Sequence, residues 1–195
     1  MISPNRFLAS KSLFPQTWAD ARRLGVTATM VAKAASGPGG FEQLLAEFEQ
    51  EWIEPDNPYM KFGRDWEPII ALQMKREFSL MPNDWLIRHE EFAHHLATPD
   101  CLSLDHRVIG EIKTTGKDWE EKKIPIQYRR QVQWQLHVTG ADFCVFSWML
   151  REERDGVFAP AWFDAKSIEI QRDEDMIEQL IETAEKLWER MNNER

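Results

Sequence analysis

The chain has 195 residues, enough for one domain with a sizeable core, and its 43% hydrophobic and 29% charged residues are ordinary for a globular protein. Its two cysteines form no CxxC pair, so neither a structural zinc site nor an iron–sulfur cluster is expected, and a reducing, cytoplasmic setting is the default. No apolar run could cross a membrane, no secretion signal is visible, and the net charge of −9 argues against coating nucleic acid by bulk electrostatics.

The negative charge is unevenly distributed along the chain. Residues 151–195 contain 13 Asp and Glu against 7 Lys and Arg, which accounts for −6 of the net −9. The first 150 residues are therefore close to balanced. An acidic exterior with basic residues lining a concave channel would reconcile this composition with nucleic-acid binding.

Helical patterns dominate the first 80 residues. Residues 15–35 are predicted to form two helical pieces, and Thr27 is a suitable N-cap for the second. A break at residues 37–40 precedes an amphipathic helix at about 41–52, and a longer helix is predicted at about 59–78.

Strand patterns begin near residue 84. The predicted elements are three or four short strands at about 84–113, a charged loop at 117–123, a helix at 125–139 that Gly140 ends, a strand at 142–149, one or two strands at about 160–171, and a last helix from about Asp173. This order predicts an α/β (α+β) fold, with a central mixed β-sheet flanked by helices.

Two carboxylates and an amine converge on a predicted hairpin. Glu111 and Lys113 lie two residues apart on a strand and share a face, whereas Ile112 points into the core. Such a pair alone is typical of an exposed strand. Asp100 stands on the partner strand, and carboxylates brought together this way repel each other unless a cation lies between them. The set therefore indicates metal-dependent phosphodiester hydrolysis.

The helix that follows this hairpin carries a polar stripe. Tyr128, Gln131 and Gln135 lie at i, i+3 and i+7 on one helical face. Any half-buried helix shows such a stripe beside an apolar one. Because the catalytic strand precedes it, Gln131 becomes a candidate partner for the nucleophilic water or a phosphate oxygen.

Three further residues are candidates of a different kind. Glu67 lies in the helix at 59–78 among apolar neighbours, which favours a buried or metal-ligating role as much as a solvated one. His94 and His95 could bind metal in principle. Adjacent residues on a strand face opposite sides, however, so these two are not expected to share an ion.

Four motifs in order resemble those of the phage lambda-type exonucleases, also called YqaJ-like viral recombinases, within the PD-(D/E)xK nuclease superfamily. They cover residues 23–29, residues 63–68, residues 98–100 with 111–113, and residues 128–133 with 137–140. Cys101 stands where this family's motif usually has Gly. The resemblance implies a restriction-endonuclease-like core in a single nuclease domain over 1–195, comprising a helical part (about 1–80), a catalytic sheet and helix (about 84–150) and C-terminal strands and helix (about 155–195).

The resemblance also implies a role for each matching residue. The ligands of one or two Mg²⁺ or Mn²⁺ ions would be Asp100, Glu111, Glu67 and the carbonyl of Ile112. Lys113 would activate or orient the attacking water, while Tyr128 and Gln131 would position water and scissile phosphate. Arg23 and Thr29 match positions that contact a 5′ phosphate, and Glu90 lies where a further acidic residue can occur.

The implied activity is 5′→3′ digestion of linear double-stranded DNA that leaves 3′ single strands for phage-type recombination. A homotrimeric ring around the duplex and a single-strand annealing protein as partner are implied too. Two alternatives stay open: a structure- or site-specific endonuclease of the same superfamily, and a non-catalytic DNA-binding module. The presence of Asp100, Glu111 and Lys113 together argues against the second.

Overall fold

The protein is described from a computed structural model, in which residues 1–49, 55–119 and 123–193 are described. The six α-helices of these ranges are α1 (Pro15–Arg22), α2 (Ala28–Ala34), α3 (Pro38–Glu49), α4 (Pro58–Phe78), α5 (Ile126–Thr139) and α6 (Glu174–Asn193). The strands are β1 (Phe7–Ser10), β2 (Val26–Thr27), β3 (Met81–Pro82), β4 (Trp85–Arg88), β5 (His95–Ala97), β6 (Cys101–Leu102), β7 (Val108–Thr115), β8 (Phe143–Arg154), β9 (Val157–Pro160) and β10 (Lys166–Gln171).

A mixed sheet with the order β10-β8-β7-β6-β3 forms the centre of the fold, and β9 pairs with the far end of β8. Strands β7 and β8 are parallel over their whole overlap, whereas the other pairs of this sheet are antiparallel. Parallel neighbours need a crossover connection, and α5 supplies it. A second, smaller sheet has the order β1-β4-β5-β2.

Helix α5 connects the two sheets. Its buried apolar side chains belong to the main core, and these are Val132, Trp134, Leu136 and Val138. The indole nitrogen of Trp134 donates a hydrogen bond of 3.0 Å to the carbonyl of Leu96 on β5. The position and rotation of α5 are therefore fixed by both layers.

Two arginines from distant parts of the chain satisfy carbonyls at the end of α5. The guanidinium of Arg6 donates to the carbonyl of Val138, and that of Arg172 donates to the carbonyl of Leu136 at 2.8 Å. Gly140 follows in the left-handed conformation, with φ 74°, as helix C-termini commonly require. The last turn of α5 is thus held by residues outside the helix.

The predicted fold class is confirmed, since the chain forms a mixed sheet flanked by helices. Two boundaries differ from the prediction. Helix α3 begins at Pro38, inside the predicted break at residues 37–40, rather than at about 41. Proline suits the first position of a helix, where no N–H is needed. Strand β8 also continues to Arg154 rather than ending at 149.

Three short strands were not predicted from the sequence. These are β1, β2 and β3, which have four residues or fewer. Parts of the predicted helix at 41–52 and of the charged loop at 117–123 lie outside the described residues. Within the described ranges, no helix combines the length and the apolar character needed to span a bilayer.

Candidate active site

The hairpin of β6 and β7 places Asp100 beside the start of the Glu-Ile-Lys segment. The backbone N–H of Asp100 donates to the carbonyl of Gly110 at 3.0 Å, which continues the β6–β7 ladder by one residue. Asp100 Oδ2 accepts a hydrogen bond of 2.7 Å from the backbone N–H of Ile112. Ile112 itself is buried in the core, so the strand alternation predicted for β7 holds.

Glu111 is the centre of a hydrogen-bonded group and is only 1% exposed. Its Oε1 accepts from the ammonium of Lys113 and, at 2.5 Å, from the amide of Gln131. Its Oε2 accepts from the amide of Gln135 at 2.8 Å. The role of Gln135 was missed from the sequence, although its spacing of four residues from Gln131 placed it on the same helical face.

The oxygen of the Gln135 amide is buried and accepts no hydrogen bond from the described residues. Because the amide nitrogen must donate to Glu111, the orientation of this side chain is fixed by the network. A buried acceptor without a donor is costly unless water or a ligand supplies one. Gln135 therefore carries an acceptor available within the site.

Charge is crowded at this point of the sheet. Burial, together with the negative charges of Glu111 and Glu67, holds the pKa of Asp100 well above its usual value. Burial lowers the pKa of Lys113, but the charges of Glu111 and Asp100 outweigh that effect and raise it above the ordinary lysine value. Lys113 is thus a protonated counter-ion to Glu111 in this arrangement.

Glu67 faces these carboxylates from the neighbouring helix. Helix α4 packs against β7, and Gly63 lies beside Thr114 at this contact, where a Cβ would lie at an ordinary van der Waals distance of 3.4 Å from Thr114 Oγ1. The Glu67 side chain is exposed rather than buried among apolar neighbours, which corrects one of its two predicted environments. Burial is the largest cause of the raised pKa of both Asp100 and Cys101, and the charge of Glu67 adds to it.

Tyr128 closes the other side of the group. Its half-buried ring packs against Trp119, with 5.2 Å between ring centroids. The ammonium of Lys113 lies 5.5 Å from the centre of the Tyr128 ring, a cation–π distance. Tyr128, Gln131 and Gln135 thus line the α5 side of the site, as the helical spacing predicts.

The remaining candidates lie elsewhere. Arg23 follows the last turn of α1 and Thr29 is in the first turn of α2, and both are exposed on either side of β2. Glu90 follows β4, is 75% exposed, and lies 3.8 Å from Arg6. Because β4 and β5 are antiparallel, Glu90 and Asp100 are at opposite ends of that hairpin, so the structure does not bring them together.

The donor set fits a hard divalent cation. If ionised, the carboxylates of Glu67, Asp100 and Glu111 carry three negative charges, and the ammonium of Lys113 supplies one positive charge. Burial and this excess of negative charge together raise the pKa of Asp100, and a cation would relieve the excess charge. Carboxylate and carbonyl oxygens are the ligands that Mg²⁺ and Mn²⁺ prefer. Asp100, Glu111, Glu67 and the carbonyl of Ile112 are therefore the residues that would hold such an ion.

The fold is shared with solved structures of exonucleases. The structure is similar to that of the alkaline exonuclease LHK-Exo from Laribacter hongkongensis, with a TM-score of 0.74, 24% identity and coverage of 91% of this chain and 92% of that one. It is also similar to a phage-related exonuclease from Haemophilus somnus 129PT, with a TM-score of 0.62, 15% identity and coverage of 88% and 96%. The fold is thus that of these exonucleases.

A family model for the YqaJ-like viral recombinase domain matches residues 17–142. The chain belongs to this family. It is also 30% identical over 135 residues to the uncharacterized protein YqaJ of Bacillus subtilis strain 168. That match covers 65% of this chain and 39% of the relative, so the aligned part is about two fifths of the relative's length.

Proposed function

We propose that the protein is a metal-dependent DNA exonuclease that degrades linear double-stranded DNA from the 5′ end. The observation that carries this proposal is the convergence of Asp100, Glu111 and Lys113 on one hairpin. Membership of the recombinase family and the likeness of the fold to exonucleases support the same activity. The product would be duplex DNA with 3′ single-stranded tails, which suits phage-type recombination.

A bound Mg²⁺ or Mn²⁺ ion, or a pair of them, would neutralise charge on the scissile phosphate and lower the pKa of a bound water. Asp100 and Glu111 would hold the cation, with Glu67 and the Ile112 carbonyl at the same site. The backbone N–H of Ile112 orients Asp100, so one strand fixes both carboxylates. This rigid placement is what a site built on paired strands provides.

Lys113 and the α5 side chains would act on the water and the phosphate. The Lys113 ammonium is a cation beside the carboxylates and would orient the attacking water and contact the phosphate. Gln131 and Gln135 donate to both oxygens of Glu111 and so hold its orientation. Tyr128 restricts where Lys113 can move, because the ammonium lies over its ring.

The proposal extends to the DNA. Arg23 and Thr29 are exposed on either side of β2 and would contact the 5′ phosphate. A homotrimeric ring around the duplex would place the acidic C-terminal segment outside and leave the more balanced part of the chain near the DNA. A single-strand annealing protein would receive the 3′ tail, in the cytoplasm of a bacterial or phage-infected cell.

The test is a digestion assay with Mg²⁺ on three substrates: linear duplex with a 5′ phosphate, linear duplex without it, and covalently closed circles. We expect degradation of linear DNA only, fastest with the 5′ phosphate. Lys113→Ala and Glu111→Gln should abolish it. Glu169→Gln, an equivalent loss of charge at an exposed position of β10, should leave it unchanged.

Each alternative has its own outcome in this assay. Nicking of closed circles would establish an endonuclease instead. Binding of duplex without cleavage in Mg²⁺ and in Mn²⁺ would establish a non-catalytic DNA-binding module. Light scattering in solution would test the trimer separately.

A further inference from the structure

A second cluster of metal-ligating side chains lies outside the carboxylate site. His94 Nε2 and His95 Nε2 each lie 2.9 Å from the same oxygen, Glu185 Oε1. The three potential ligand atoms lie within 4.8 Å of one another. The cluster joins β5 to α6. Glu185 is 91 positions from His94 and 90 positions from His95 in the chain.

The structure overturns the expectation that these histidines face opposite sides. His95 is the first residue of β5, but His94 belongs to the turn before it, where strand alternation does not apply. Both rings can therefore turn the same nitrogen toward Glu185. The absence of a CxxC pair excludes a cysteine-based zinc site only.

We propose that His94, His95 and Glu185 form a binding site for a zinc-like divalent ion that ties α6 to β5. Two imidazole nitrogens and one carboxylate oxygen form a donor set that zinc takes in proteins. Mg²⁺, by contrast, prefers oxygen ligands, so the two sites select different ions. In a tetrahedral zinc site neighbouring ligand atoms are roughly 3.3 Å apart. Both nitrogens are already close to Glu185, so the partly exposed ring of His94 would move toward His95, by up to about 1.5 Å, as the ion binds.

The rings are already held in place by neighbours. His95 Nδ1 lies 3.0 Å from His137 Nε2, a buried hydrogen bond. The ring of His94 stacks on Trp188, with 5.1 Å between centroids and 10° between planes. Such outer contacts fix the orientation and the tautomer of metal-bound histidines. With zinc bound, His95 would keep its proton on Nδ1 and donate it to His137.

The Glu185 side of the cluster is open to solvent. The Glu185 side chain is 45% exposed and that of His94 is 20% exposed, whereas His95 is fully buried. The site is therefore closed on the β5 side and open at the surface of α6. Water would complete a tetrahedral shell from that open side.

The site is independent of the proposed catalytic centre. Gln135 on α5 contacts Glu111, whereas His137, two residues further, contacts His95. Two residues correspond to about 200° of helical rotation, so these contacts are on opposite faces of α5. A zinc ion here would act on the stability of the fold by linking α6 to the smaller sheet.

The test measures zinc binding directly. Purified protein is dialysed against ZnCl₂ in the presence of excess MgCl₂, which occupies the carboxylate site, and bound zinc is counted by elemental analysis. We expect one zinc per chain for wild type and none for Glu185→Gln or His94→Gln. Glu178→Gln is the matched control, since it removes the same charge on α6 about 10 Å away.

A second control addresses the other metal site, because Glu111→Gln should retain the zinc. Loss of zinc in Glu111→Gln, equal zinc in wild type and Glu185→Gln, or no zinc in wild type would each overturn the proposal. Should a ligand variant not fold, NMR of the wild-type histidines still decides. Zinc must then shift the Nε2 signals of His94 and His95, and unchanged signals would reject the site.

Discussion

Cys101 and Gly110 are paired across the β6–β7 ladder, and the cysteine side chain fills the space that a side chain at 110 would need. A Cβ at Gly110 would lie 2.8 Å from Cys101 Cβ and 2.7 Å from the tip of Met74. Cys101 is itself completely buried. The buried Cys101 is thus accommodated by a glycine on the opposite strand.

This pair predicts a compensated double substitution. Gly110→Ala should lower the free energy of unfolding by about 1–3 kcal/mol, because the core is overpacked. Adding Cys101→Gly should recover part of this loss, because the new methyl group enters the vacated space. Urea unfolding measures both. Gly116→Ala is the control and should be nearly neutral, since a Cβ there would lie 3.5 Å from Arg151 Nη2. Strict additivity of the two substitutions would contradict the pairing.

Removing one carboxylate should stabilise the protein. Because the pKa of Asp100 is raised, the folded state holds a proton that the unfolded state releases, so stability falls as pH rises above about 4. Asp100→Asn should therefore raise the Tm at pH 8 by roughly 2–4 °C or more while abolishing cleavage. Added Mg²⁺ should raise the Tm of wild type but much less that of the variant.

Asp105, on the same hairpin, is a control because its pKa is shifted in the opposite direction to that of Asp100. Hydrogen bonds from Ser103 and Arg107 lower its pKa, so its carboxylate is favoured by folding. Asp105→Asn should lower the Tm slightly and leave cleavage intact. A fall in Tm for Asp100→Asn would show that charge crowding does not cost stability at this site.

Gln135 is expected to position Glu111 rather than to react. Gln135→Leu removes the donor to Glu111 Oε2 and should weaken Mg²⁺ activation by about 10–100-fold, as losses of outer contacts at metal sites do. The measurement is the Mg²⁺ concentration for half-maximal cleavage.

The matched control is Gln133→Leu on the same helix. Gln133 bridges the carbonyl of Gln171 and the N–H of Asp173, away from the carboxylates. This variant should lower the Tm and leave the Mg²⁺ dependence unchanged. Equal Mg²⁺ dependence in both variants would show that Gln135 does not position Glu111 for metal binding.

Acid should destabilise the fold through His137. Burial lowers the pKa of His137 to about 3, whereas an unfolded histidine titrates near 6.5. Below pH 6.5 the unfolded state therefore gains a proton that the folded state does not, and stability is lost as pH falls toward 3. Between pH 6.5 and 5 this amounts to about 2 kcal/mol for one such histidine. His137→Gln should flatten the pH dependence of unfolding by that amount, and identical slopes would refute it.

Local patterns predicted the helices, the hairpin and the β7–α5–β8 unit because each has a clear period or a clear stop signal. Strands such as β2, with two residues, are too short to show a period and exist only through pairing with β5. The contact of Glu185 with His94 and His95 joins segments about 90 residues apart, and no spacing rule reports such a contact. The site residues on β7 and on α5 could be predicted from the sequence, because each set lies within one element and follows the period of that element.

The two arginines at the end of α5 have a practical consequence for fragments of this protein. Arg6 and Arg172 both lie outside the stretch 17–142 that the family model matches, yet both bind carbonyls of α5 or of the turn after it. A fragment trimmed to those limits would lose both arginine contacts to the end of α5 and loosen the helix that carries Gln131 and Gln135. The cooperative unit to express is therefore larger than the one that sequence similarity delimits.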